Sequence, residues 1–140
     1  MHNLIDWLPK YTPEQKYTSI VHGDYRLDNV VFHDNDEIQA MLDWELSTIG
    51  DPLADFGYHC MLWHVGEISD DIAKTLGIHS EKEYVDLYLS RTKMQLESEW
   101  DFYIIFSTFF FSLGNTFALS FWYCNYWINP QLAGFFPMLN

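Results

Sequence analysis

The sequence predicts a single α+β domain, mainly helical, and three observations carry that expectation. A β-hairpin pattern follows the polar segment His22 to Asn29, helix-start signals recur after residue 50, and no Asp, Glu, Lys or Arg occurs from Phe102 to Asn140. With 140 residues and 49% hydrophobic content, the chain can hide enough apolar surface for one compact core, while two would leave each short of it.

Taken in order, Thr12-Pro13-Glu14-Gln15 offers a capping hydroxyl, a proline preset for the first helical position and glutamine at the third, which predicts a short helix start. Tyr17 to Val21, rich in aromatic and β-branched residues, makes a β-leaning approach to the His22–Asn29 loop. Val30-Val31-Phe32 then reads as a strand and Asp34-Asn35-Asp36 as a turn. Ile38, Ala40 and Leu42 alternate with Gln39, Met41 and Asp43 as the returning strand. Asp51-Pro52 opens a largely buried helix with Leu53, Phe56, Cys60 and His64 on one face. Ser69 to Leu76 predicts a short helix stopped by Gly77, and Ser80-Glu81-Lys82-Glu83 is a capping box ahead of Tyr84, Val85, Tyr88 and Leu89. Phe102 to Cys124 is expected as a buried core helix. It is also long enough to cross a bilayer, which needs about 20 mostly apolar residues, so membrane association over 102–128 is the less favoured alternative.

Composition excludes several partners. A formal net charge of -13 with 7 Lys+Arg repels phosphate backbones and anionic headgroups, so nucleic acid is not an expected partner. Cys60 and Cys124 make no short metal or redox spacing, and the N-terminus lacks the apolar run of a signal peptide, so a reducing, cytoplasmic setting is expected.

The chemistry lies in His22-Gly23-Asp24-Tyr25-Arg26-Leu27-Asp28-Asn29, where His, Asp and Asn are spaced His-x-Asp-x-x-x-x-Asn, followed across the hairpin by Asp43-Trp44-Glu45. Phosphoryl transfer from a nucleotide needs a carboxylate to orient the attacking hydroxyl and accept its proton, and oxygen ligands for the Mg that bridges the phosphates. Asp24 fits the first role, and Asn29 and Asp43 fit the second, since Mg is a hard cation satisfied by few protein oxygens. His22 is expected to brace the loop. Arg26 could meet an anionic substrate group or pair with Asp24 or Asp28, and Glu45 could support the metal or simply be solvated. Asp51 and Asp55 read as a helix cap and a first-turn carboxylate. His59 and His64 read as buried or edge histidines, because no third zinc ligand is placed.

The stretches Ile20 to Asn29 and Leu42 to Asp55, with Trp100-Asp101-Phe102-Tyr103 later, resemble the kinase-like proteins related to the N-terminal region of acyl-CoA dehydrogenase family members ten and eleven. These sit within the aminoglycoside phosphotransferase and choline kinase class, and the resemblance runs from Leu4 to about Phe106. It implies a two-lobed protein-kinase-like fold of which this chain is the C-terminal, mainly helical lobe. It also implies ATP as phosphate donor, Mg2+, and a hydroxyl acceptor on a small molecule. Carried over by position, Asp24 is the catalytic base, and Asn29 and Asp43 bind Mg. Either a hydroxylated acyl-CoA or a cationic acceptor such as an amino sugar or choline would suit.

Nothing ahead of His22 resembles the strand-rich lobe that covers the nucleotide, so the N-lobe is expected to be absent and the chain alone is not expected to be a competent kinase. The organisation expected is a phosphotransferase portion over 1–106 and an uncharged aromatic tail over 107–140 that departs from the family pattern, as a frameshift or retained intron would produce. Two alternatives are a non-catalytic truncated or binding module, and a metal-dependent phosphohydrolase built on His22, Asp24, Asp43 and His59.

Overall fold

A computed structural model describes residues 2–96 and 99–112. The fold is mixed helix and strand, with helices dominant, as the sequence pattern implies. Helix α1 (His2–Tyr11) leads to strand β1 (Ser19–Val21), a 3-10 turn over Leu27–Asn29, the hairpin β2 (Val30–Phe32) and β3 (Ile38–Met41), a second 3-10 turn over Trp44–Leu46, and β4 (Thr48–Gly50). Four helices complete the described chain: α2 (Leu53–His64), α3 (Asp70–Leu76), α4 (Glu81–Thr92) and α5 (Trp100–Ser112).

The strands form two nested antiparallel ladders. β4 pairs with β1, Ile20 opposite Ile49, and so encloses the β2–β3 hairpin, in which Val30 faces Met41. Both segments that carry the candidate chemistry therefore start from one ladder and end on the other. The hairpin turns where expected: Asp36 takes a left-handed φ of 64°, its N–H donating to the His33 carbonyl.

Helix α2 is the centre of the molecule. One side meets Leu8, Val21, Phe106 and Phe109 through Ala54, and the other meets Ile104, Tyr84 and Tyr88 through Phe56 and Cys60. The Phe56 and Tyr88 rings stack with centroids 3.8 Å apart. Gly57 permits the closest approach of α5, since a Cβ there would sit 2.8 Å from the Tyr103 Cβ. The starts of α2, α3 and α4 fall where the capping chemistry put them. Asp51 Oδ1 accepts from the Leu53 N–H, Ser69 caps α3 and Gly77 closes it, and Ser80 and Glu83 form the reciprocal box of α4.

Two expectations are corrected, those for Thr12 and His64, and two elements, α1 and β4, were not anticipated. Thr12 starts no helix; it follows one, and its hydroxyl donates to the Leu8 carbonyl to close α1. The α1 stripe Leu4, Trp7, Leu8, Tyr11 has helical spacing that internal Pro9 disguises, and Leu8 is almost fully buried. β4 is three residues long and acquires its identity only by pairing with β1, so no local period reveals it. His64 does not share the burial of Leu53, Phe56 and Cys60 but lies exposed at the end of α2, 2.8 Å from Glu81. Helix α5 buries Tyr103, Ile104, Phe106, Ser107 and Phe109 and runs unbroken across position 106. No described helix is long and apolar enough to cross a membrane, and the expectations for 113–140, including Cys124, lie outside the described residues.

Candidate active site

The 22–29 loop is clamped to the interior at its first two residues. Asp55, in the first turn of α2, accepts the backbone N–H of His22 and, at 2.9 Å, that of Gly23. Its carboxylate thus serves the loop rather than its own helix, which corrects the expectation of a plain first-turn residue. Burial pushes the Asp55 carboxyl above its ordinary value, and the two amide donors oppose that push. Gly23 has a φ of +84°, and a Cβ there would lie 2.7 Å from the Leu46 carbonyl oxygen, so backbone crosses backbone where only glycine fits.

His22 ties the loop to the segment after the hairpin. Its ring is buried and its Nε2 lies 2.8 Å from the Leu42 carbonyl, which can only accept, so Nε2 carries the proton. Nδ1 is then the acceptor for the Asp24 N–H at 3.3 Å. Both ring nitrogens are engaged, and the ring rests on Trp44 with centroids 4.6 Å apart. A further bond, Leu42 N–H to the Asn29 carbonyl at 2.8 Å, closes the far end of the loop on the same segment.

Asp24 accepts hydrogen bonds at both carboxylate oxygens. Asn29 Nδ2 donates to its Oδ2 at 3.0 Å and to its backbone carbonyl at 2.9 Å, Arg26 Nε lies 3.3 Å from Oδ2, and the Tyr58 hydroxyl donates to Oδ1 at 3.1 Å. Of the readings open for Arg26, pairing with Asp24 is the one observed. Because both groups facing the Asn29 amide are acceptors only, the nitrogen must face them, which leaves its Oδ1 available. Asn29 itself is buried.

Asp43 is the contrasting carboxylate. It is exposed, caps nothing with its side chain, and takes a left-handed backbone with φ 66° and ψ 51°. That conformation is uncommon outside glycine and is tolerated best by Asp and Asn. Glu45 is exposed in the turn that follows. His59 packs against Tyr25 and Tyr84, with burial lowering its basicity. Among the described residues no three His, Cys, Asp or Glu side chains gather as a metal site.

Sequence reasoning missed the use of Asp55 and the whole of Tyr58. A signal existed: the two are three positions apart on α2 and so share its loop-facing side.

A sequence model described as the phosphotransferase enzyme family matches residues 1–88. The chain belongs to that family. Its resemblance within the family is the one the motifs implied. Over 118 residues it is 42% identical to acyl-CoA dehydrogenase family member 10 of Mus musculus, covering 78% of this chain and 11% of that protein. Over 117 residues it is 35% identical to family member 11 of Homo sapiens, covering 78% of this chain and 15% of the relative. A crystal structure from Ralstonia eutropha, solved as a candidate aminoglycoside phosphotransferase, is 38% identical with a TM-score of 0.68, covering 92% of this chain and 45% of that one. This phosphotransferase-family chain therefore spans a minor part of each relative's length.

Proposed function

We propose that this chain carries the catalytic-loop and metal-binding part of a Mg-ATP-dependent phosphotransferase that acts on a small-molecule hydroxyl, and that it corresponds to the C-terminal, mainly helical lobe of a kinase-like fold. The single observation that supports it most is the state of Asp24, a carboxylate held at both oxygens in a loop that is bonded to the segment presenting Asp43. In this reading Asp24 is the proton acceptor and His22 and Arg26 hold its loop in shape.

The donor atoms suit Mg2+. Asn29 Oδ1 and the Asp43 carboxylate are hard oxygens, one left free by the orientation of its amide and the other exposed without a side-chain cap bond. Glu45, two residues on and exposed, would support the metal through an intervening water in this reading. Bound Mg-ATP would supply the phosphoryl group and neutralise charge on it as it transfers. The acceptor's O–H proton passes to Asp24, the acceptor oxygen bonds to the γ-phosphorus, and the bond from that phosphorus to the departing ADP oxygen breaks. A phosphohydrolase built on His22 and His59 is poorly supported, since both His22 ring nitrogens are already bonded within the fold.

The test is phosphoryl transfer from Mg-ATP by the intact protein, with both lobes of the fold present, to amino sugars, choline and hydroxylated acyl-CoA thioesters. ADP formation matched by phosphorylated acceptor, and lost in Asp24→Asn, is the expected result. Absence of Mg-ATP binding together with metal-dependent release of phosphate from phosphomonoesters would replace this reading with the hydrolase.

A further inference from the structure

The donors around Asp24 come from two places. Asn29 and Arg26 belong to the same loop as Asp24 and both address Oδ2. Tyr58 belongs to α2, whose flanks are buried on two sides through Ala54, Phe56 and Cys60, and it alone among the described residues addresses Oδ1. One hydrogen bond therefore ties the carboxylate to the interior of the molecule instead of to its own loop. Asp55, one turn earlier on α2, does the same for the backbone of His22 and Gly23. The backbone clamp cannot substitute for the side-chain one, because the torsion that turns an aspartate carboxylate has a broad, shallow preference.

We propose that Tyr58 is a positioning residue for Asp24, fixing the plane of its carboxylate so that Oδ1, which keeps a spare lone pair, takes the acceptor's proton. The proposal rests on the assignment of Asp24 as proton acceptor. Tyr58 acts through Asp24: its hydroxyl holds Oδ1, touches neither substrate nor the transferring phosphoryl group, and keeps its own proton throughout. Burial first, and then the negative charge of Asp24, push its phenol up to about 12, so it stays a donor at neutral pH.

Tyr58→Phe in the intact protein removes one oxygen and preserves the ring. The turnover number is expected to fall about tenfold or more, as misplacement of a reacting group does, while KM for Mg-ATP moves by less than about twofold because Asn29 and Asp43 are untouched. An unchanged turnover number overturns the proposal, and so does a KM that rises in step with the loss, which would mark a packing role. A second measurement does not need turnover. The Tyr58 ring carbon followed by NMR should titrate near 12 in the wild-type protein and lower in Asp24→Asn, while staying above the ordinary 10.0 because burial, the larger cause, remains. Identical titration in the two proteins would show that the bond is not made. No transfer by a wild-type protein in which both lobes are present would sink the phosphotransferase reading itself, and the titration would still decide whether Tyr58 holds Asp24.

Discussion

Asp24 and Asp43 make opposite demands on their surroundings. Asp24 is held at both oxygens, whereas Asp43 is exposed and uncapped. On the proposed reading, Asp24→Asn retains Mg-ATP binding and loses most of the transfer rate, while Asp43→Asn weakens Mg-ATP binding itself, as calorimetry and steady-state kinetics would separate. Equal behaviour of the two variants would break the division of roles. Asp55→Ala leaves two partly buried amides without their acceptor and should cost about 1–3 kcal/mol of stability in denaturant titrations, with the site loosened in proportion. Cys60 is fully buried and its thiol is pushed far up by burial, so its peptide should stay unalkylated at neutral pH until the protein unfolds. His22, Asp24, Asn29 and Asp43 stood out in the sequence by residue type and spacing, and the structure bonds the first three to one another and His22 to the segment before Asp43. The spacing of Asp55 and Tyr58 could place them on one helix face, but their partners lie 33 and 34 positions away, so it did not say what that face meets.

The capped helices were legible for a different reason, that a cap is a local contract between a side chain and amides two or three residues on. Ser80→Ala should lower stability by about 1 kcal/mol, visible as a reduced melting temperature without loss of the site. The site's own element is less forgiving. Gly23→Ala combines a left-handed backbone, costing about 1–2 kcal/mol for an L-residue, with a clash against Leu46. It should therefore lower both the melting temperature and Mg-ATP affinity, because the loop can yield only by leaving the turn that presents Asp43. β4 escaped notice because its pairing is non-local, and α1 because one internal proline outweighed an otherwise regular apolar stripe.

At the scale of the whole molecule, the uncharged segment after Asp101 has a described part that is core. Phe106 and Phe109 close one cluster with Leu8 and Val21, and Ile104 closes the other with Phe56 and Cys60. Truncation at Asp101 is expected to abolish cooperative unfolding, because losing several buried aromatic and branched side chains at about 2–5 kcal/mol each exceeds the stability of a typical domain. A truncated chain that melts as sharply as the parent would place the core elsewhere. The hydrophobic excess that raised the alternative of a membrane segment is thus, through Ser112, the excess of a helix packed on α1 and α2.

The nesting of the ladders also makes the hairpin tip a tolerant address. Everything that aligns the loop with the Asp43 segment, the His22–Leu42 bond, the Leu42–Asn29 bond and the β1–β4 pairing, lies below the tip, while residues 33–37 are exposed and bond only to one another. A flexible peptide spliced between Asn35 and Asp36 would lengthen a closed loop at small entropic cost. That position is therefore suited to an affinity handle or a fluorescent reporter that leaves the chemistry beneath it undisturbed.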